Sequence, residues 1–242
     1  MSVLLLRLAG PLQAWGSSAR FVRRTTQSAP TKSGVIGLLA AARGIDRGDD
    51  EGLARLAALR FGVRIDQPGV LVRDFQTAHH AASGKSMPLS ERFYLADAVF
   101  TAGLEGDRAF LDELAGALRT PVYGLFLGRR SCPPDPGIVL GVHDVPLDTA
   151  LSGEPWRAAP WYGRRRSRDR TVSLTVLREP GADEERGEQG DVLRDQPLSF
   201  SAEHRRHALR TVVGTTVDAP NPYARRPAAP ASVPPHDPLG AL

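Results

Sequence analysis

The sequence predicts an α+β fold, and three observations carry that prediction. An apolar run at 3–8 ends in the turn residues "AGP", the pattern of a short buried strand. Apolar residues recur at helical spacing twice, at Val35, Ile36, Leu38, Leu39 and Ala42 and again at Phe110, Leu111, Leu114 and Leu118. Between these helices, the runs at 61–66, at 70–78 and from Arg92 onward read as strands bounded by turn residues.

The elements follow in order. After the first strand a loop reaches Pro30, and Thr31 caps a helix that "RG" at Arg43 and Gly44 stops. A short helix at 51–59 leads into "FGVRID", and "QPG" turns the chain into "VLVRDFQTA", so the two runs are expected to pair antiparallel. The segment "HHAASGKSMPLSE" has no periodicity and is expected to project as a hairpin or loop. The strand "RFYLADAVFTAGL" and a helix at 107–118 follow. The order β-α-β-β-β-α is that of a decorated ferredoxin-like or RRM-like unit, an antiparallel sheet with helices on one face. Beyond "GLFLGRRSCPPDPG", strands are expected at 138–145, 171–177, 193–201 and 209–217, with an acidic, solvated connection at 179–191. Seven prolines in the 25 residues from Asp218 onward predict a disordered tail.

Composition narrows the function. With 242 residues and 41% hydrophobic content the chain can bury a substantial core. No apolar run approaches the roughly 18 residues that span a bilayer, and Arg7 interrupts the N-terminal apolar stretch, so no membrane partner and a cytoplasmic location are expected. The single cysteine, Cys132, rules out an internal disulfide framework and a multi-cysteine zinc site. No cofactor is expected. Although the net charge is only +4, the first 44 residues hold Arg7, Arg20, Arg23, Arg24, Lys32 and Arg43 and no acid. Clustered self-repelling charge of this kind suits a polyanionic partner.

Several stretches have the parts of a nucleic-acid site. The loop from Gly10 to Lys32 combines glycines, hydroxyls and arginines, and the helix start at Thr31, Lys32 and Ser33 adds a positive dipole end. Its glycine and lysine spacing is not that of a nucleotide-hydrolysing loop. Trp15 reads as a core anchor ahead of a stacking platform. "GRRSC" at 128–132 sets two arginines on a turn, suited to a phosphodiester backbone or simply solvated. "WYGRRRSRDR" at 161–170 interleaves aromatics with arginines, which fits stacking plus neutralisation or a flexible basic loop. His79 and His80, with Lys85 and Tyr94, have the groups of a general acid–base RNA-cleaving site, but consecutive histidines point apart. His204 and His207 have metal-ligand spacing without further ligands, so no metal is assigned.

Taken together, "LLRLAGPLQAWG", "PTKSGVIGLLAAARGI", "VRDFQTA", "YLADAVFTAGL" and "LGRRSCPP" resemble the CasD family, in order over about residues 3–145 and again faintly at "LRDQPLSFSAEHRRH". That family is the RAMP-type subunit of the type I-E CRISPR Cascade complex. The resemblance implies a non-catalytic protein that holds the 5′ handle of the CRISPR RNA. It also implies docking to the backbone RAMP subunit and the large subunit, so that target DNA is met only through the complex. The implied architecture is an RRM-like palm at 1–145 with a protruding thumb at about 79–92; a smaller strand-rich part at 146–217 and the tail at 218–242, which lies outside the resemblance, are read from the residues alone. The candidate RNA-binding residues are Trp15, Gly16, Arg20, Arg23, Arg24, Thr31, Lys32, Ser33, His79, His80, Arg92, Tyr94, Tyr123, Arg129, Arg130 and Ser131. In related type I-C systems the equivalent subunit is the processing enzyme, and a metal-independent endoribonuclease is therefore the alternative reading.

Overall fold

A computed structural model describes residues 1–16, 23–181, 184 and 190–225. The elements are β1 (Ser2–Ala9), β2 (Leu12–Gln13), β3 (Arg23–Arg24), α1 (Lys32–Arg43), α2 (Asp50–Ala57), β4 (Arg60–Gln67), β5 (Val70–Gln76), β6 (Ser90–Ala96), β7 (Val99–Gly106), α3 (Arg108–Arg119), β8 (Val139–His143), α4 (Leu147–Gly153), α5 (Pro160–Arg165), β9 (Thr171–Arg178), β10 (Asp191–Ser199) and β11 (Arg206–Pro220). None of the helices is long and apolar enough to cross a membrane.

β1 is apolar at nearly every position and lies inside a seven-stranded sheet of order β10-β11-β9-β4-β7-β1-β8, in which every pair is antiparallel. A strand without alternation needs cover on both faces. Leu4, Leu6 and Leu8 face the main core, where α1, α2 and α3 supply Val35, Ile36, Leu39, Leu56, Leu111 and Leu114. Val3 and Leu5 face the other way, against Leu147, Ala150 and Leu151 of α4. The expected one-sided helix layer is thus corrected, because α4 packs on the opposite face. Gly103 in β7 allows this approach, since a Cβ there would stand 2.6 Å from the Leu147 side chain.

The helix ends are written in the sequence. Thr31 accepts a hydrogen bond from the Gly34 N–H at the start of α1, and Gly44 closes that helix in the left-handed region at φ 71°. Asp49 and Asp107 cap α2 and α3 in the same way.

The expected pairing of 61–66 with 70–78 does not form. β4 pairs with β7 and β9, while β5 pairs with β6 in a second, four-stranded sheet that also holds β2 and β3. β4 is buried almost throughout and belongs in the sheet interior, whereas β5 is exposed along its length. The chain leaves the main sheet at Gly69, φ 74°, and returns at Asp97, φ 55°. Asp97 also splits the single strand expected from Arg92 into β6 and β7.

Nor do the C-terminal strands form a sheet of their own, since β9 pairs with β4 and β11 with β9. β11 runs to Pro220, three residues into the segment expected to be a tail, and Asn221 then donates to the Arg166 and Asp169 carbonyls. Most of the proline-rich segment, 226–242, lies outside the described residues.

Candidate nucleic-acid interface

One face of α1 floors an open cleft of about 1190 Å3. Its rim draws on Gly16, Arg24, Thr31 and Ser33 from the opening segment and helix start, and on Tyr123, Arg129 and Arg130 from the chain after α3. The structure therefore brings together residues about a hundred positions apart that the sequence singled out separately. Arg20 lies outside the described residues.

Trp15 braces this cleft from beneath. It is fully buried, its indole N–H donates to Gln13 Oε1 at 3.0 Å, and its backbone N–H donates to Thr26 Oγ1 at 2.8 Å. Gln13 is held in turn by the Leu8 and Ala98 carbonyls. Trp15 is a core anchor, the first of its two sequence readings, and offers no face to a base.

Gly128 fixes the arginine turn. Its φ is 84°, and a Cβ there would fall 1.8 Å from the Ala14 carbonyl oxygen, so only glycine lets the turn lie against the segment before Trp15. Leu127 seals it, its carbonyl accepting from the Ala14 N–H and its own N–H donating to the Cys132 carbonyl. Burial pushes the Cys132 thiol upward, which suits packing over reactivity.

The two arginines of the turn play different parts. Arg129 donates to the Phe93 carbonyl at 3.0 Å and the Arg24 carbonyl at 2.8 Å, and its guanidinium lies 4.7 Å from the Tyr94 ring centroid. Its terminal nitrogens are committed to tying β3 to β6. These bonds make Arg129, half-buried at the cleft rim, a holder of the Arg24 backbone. Arg130 and Arg24 are exposed and carry no ion pair among the described residues.

Lys32 is a second correction. Its ammonium is buried and donates to Glu179 at 2.9 and 3.2 Å, with Arg210 also near that carboxylate. Burial lowers its pKa, and Glu179 opposes the shift. Its backbone N–H donates to Asp195 Oδ2 at 2.8 Å, and Arg210 binds the same carboxylate through two nitrogens. A protein carboxylate already sits at the start of α1, and the Thr31 hydroxyl is spent on its cap. Glu179 also accepts from the Phe61 N–H, and Glu184 binds Arg178. The connection read as acidic and solvated is therefore partly interior.

The candidates at 79–94 lie elsewhere. β5 and β6 form a hairpin in the register Val70↔Ala96 to Gln76↔Ser90, and His79 bridges Ser86 near its tip. His79 meets the Gly84 carbonyl, and His80 meets the Ser83 hydroxyl. Both rings are exposed. Tyr94 is 3% exposed beneath Arg129, so the histidines and the tyrosine do not converge. β3 runs parallel to β6 with Arg23 opposite Glu91 and Arg24 opposite Arg92, tying the basic segment to the hairpin base. Ser131 is exposed beside Arg130.

"WYGRRRSRDR" forms α5 and a turn. Three of its five arginines have local partners, Arg165 over Trp161, Arg164 over Tyr223 and Arg166 on Asp169 at 3.1 Å, while Arg168 and Arg170 are exposed. Arg165 lies over one side of the Trp161 ring, which stays 43% exposed.

A family model described as CRISPR-associated protein (Cas_Cas5) matches residues 3–213. The chain belongs to that family. It is 35% identical over 175 residues to the CRISPR system Cascade subunit CasD of Escherichia coli (strain K12), covering 65% of this chain and 75% of that one. It also superposes on a chain of a CRISPR RNA-guided surveillance complex with a TM-score of 0.73 at 35% identity, covering 93% of this chain and 94% of the other. A chain described as "Crystal structure of Cas protein" matches with a TM-score of 0.68 at 38% identity, covering 93% and 98%. The resemblance to CasD read from the motifs is met, and it extends past residue 145 into β9–β11.

Sequence reasoning missed Arg47, Phe200, Arg205 and His207, which also line the cleft. For the last three the signal was "LRDQPLSFSAEHRRH", read only as a faint resemblance, with the spacing of His204 and His207 weighed as a metal site and set aside. Among the described residues no three metal-ligating side chains converge.

Proposed function

We propose that this chain is a non-catalytic RNA-binding subunit of a type I-E Cascade, holding the 5′ handle of the CRISPR RNA across the α1 cleft. The observation that carries the reading is the cleft itself. It is open, it is floored by small residues, and its rim presents Arg24 and Arg130 without protein counter-charges among the described residues. Unpaired arginine beside turn glycine suits backbone phosphates, and an exposed Tyr123 suits an unstacked base. The strand order β4-β7-β1-β8, with α1 joining β1 to the β4 side and α3 joining β7 to β8, supports a ferredoxin-like palm at its centre. The exposed β5–β6 hairpin then serves as the thumb that meets the backbone subunit, its Val70, Leu71, Phe75, Met87 and Leu89 supplying apolar contact. The large subunit docks in the same assembly, in the cytoplasm, and target DNA is met through it.

The burial of Tyr94 away from His79 and His80 supports a binding role over nuclease activity, because acid–base cleavage needs both groups within reach of one phosphate. The test is assembly. Co-expressed with the other Cascade subunits and a CRISPR array, the chain should co-purify with a backbone subunit and a guide RNA of discrete length. Deleting residues 81–89 should leave the palm folded and abolish that assembly. Purification of the wild-type chain free of both RNA and partner would sink the proposal.

A further inference from the structure

The face of the main sheet that carries α4 holds a second concentration of arginine, remote from the α1 cleft. Val3, Leu5 and Val176 pack under α4, and the same parity along β9 brings Val172 and Leu174 against Trp156, with Tyr162 of α5 packed on that cluster. α5 and the turn after it therefore lie across the sheet from α1, and none of their residues lines the α1 cleft. Residues 157–170 and 221–225 hold seven arginines against one acid, Asp169. Asp169 is taken by Arg166, and Arg157 pairs with Glu154 just past α4. That leaves Arg164, Arg165, Arg168, Arg170 and Arg225, all exposed and none in an ion pair among the described residues. Asp218 near the end of β11 alternates with Val217 and Ala219, which pack on the Trp156 cluster, and so faces the other side of the sheet. Asp97 is joined to the start of α5 through Gln67, which bridges its carbonyl and the Ala159 N–H. Even with Asp97 counted, the cations of this region outnumber its acids by four.

Resting on the assignment of guide RNA to the α1 cleft, we propose that α5 and its following turn form a second nucleic-acid surface, which takes the phosphate backbone of double-stranded DNA. The chain then touches target DNA itself and not only through its neighbours. Three observations carry the assignment. The arginines repel one another on a surface with too few acids, a cost that a polyanion relieves, and each guanidinium presents a planar fork to a phosphate. The turn that bears them is fixed. The buried Asn221 donates through its side chain to the Arg166 and Asp169 carbonyls, its N–H donates to the Arg170 carbonyl, and the Arg225 N–H donates to the Ser167 carbonyl. Gly163 lets Tyr223 pack directly on α5, because a Cβ there would collide with the ring. The aromatic groups favour a duplex over a single strand. Trp161 has Arg165 over its ring and Tyr162 against it edge-on, and Arg164 lies over Tyr223, so the surface offers phosphate contacts ahead of stacking platforms. A duplex presents its phosphates outward with its bases already stacked.

The experiment titrates the full chain over a range of salt with two labelled probes, single-stranded RNA of the CRISPR repeat and a duplex DNA of arbitrary sequence. The paired variant Arg168→Ala, Arg170→Ala should bind the duplex about tenfold more weakly near physiological salt, with a log–log salt slope shallower by about 1.8, the release expected for two duplex phosphate contacts. Its binding of repeat RNA should be unchanged. Arg168→Lys, Arg170→Lys should keep the wild-type slope, because the slope counts charges. Duplex binding that is absent from the wild-type chain, or unchanged in the alanine pair, overturns the surface, and with it a loss of subunit assembly in that pair would give the patch to an acidic protein neighbour. Equal weakening of RNA and duplex binding gives the patch to the guide and overturns the DNA assignment. The variant Arg24→Ala, Arg130→Ala reads the α1 cleft separately, so unchanged RNA binding there counts against the guide assignment alone. As a measurement that needs no variant, 4-thiothymidine placed along the duplex should crosslink on the wild-type chain to the peptide containing 161–170. Crosslinks confined to 23–24 and 128–131 would contradict the proposal.

Discussion

The cleft rim and the interior beside it are built from the same residue types and put them to opposite uses. Arg24 and Arg130 stand exposed without a carboxylate partner among the described residues, whereas Arg64, Lys32 and Arg210 are buried and each is matched to acids. Arg64 is the extreme case. It is completely buried, binds Asp66 at 2.8 Å and donates to the Leu151, Glu154 and Pro155 carbonyls. Asp66 meanwhile takes the Thr101 hydroxyl and the Arg157 N–H. What separates the buried cations from the exposed ones here is a protein acid within reach, and local charge counts do not report that.

The comparison predicts different losses from charge removal in the two regions. The largest effect should come from Asp66→Ala, which strands the buried Arg64 guanidinium and should cost roughly 3–5 kcal/mol of stability. Denaturant unfolding measures this, and a loss under about 1 kcal/mol would mean the interior pair is no different from a surface one. Glu179→Ala should act in the same direction by leaving the Lys32 ammonium without its partner, while replacement of both Lys32 and Glu179 by methionine should recover much of the loss. At the rim the order reverses. Arg24→Ala with Arg130→Ala should leave the unfolding midpoint unchanged and make the salt slope of RNA binding shallower by about 1.4. A stability loss without a slope change would move these arginines into the structural class. The smallest effect is that of Thr31→Ala, about 1 kcal/mol from the α1 cap with no change in slope. A slope change there would show that the hydroxyl contacts RNA after all.

Much of the local structure was legible because it is local. Thr31, Asp107 and Gly44 announce helix ends through their own side chains or conformational freedom, and the runs at 61–66 and 70–78, separated by turn residues, announce strands. Partner choice was not legible. Nothing within "FGVRIDQPGVLVRDF" says that the chain changes sheets at Gly69, because that depends on β7 and β9 claiming both edges of β4. The site shows the same division. Arg24 and Arg130 were found by clustering next to turn residues. Lys32 was misread because its neutralising acid, Glu179, is 147 residues away. The part of Arg129 in holding the Arg24 backbone was not legible for a related reason, since its partners are backbone carbonyls that carry no sequence signal. Arg47 and Arg205 come from segments far apart in sequence and reach the same cleft only through the tertiary fold.

The central claim is that the cleft binds CRISPR RNA without cutting it, and one measurement reaches it most directly. Purified wild-type chain is incubated with 5′-labelled repeat RNA in EDTA at several salt concentrations, and both the bound fraction and the RNA length are followed. The account predicts binding that weakens steeply with salt while the RNA stays full length. Site-specific cleavage that disappears in the His79→Ala, His80→Ala variant would contradict it and make the exposed hairpin tip an active site.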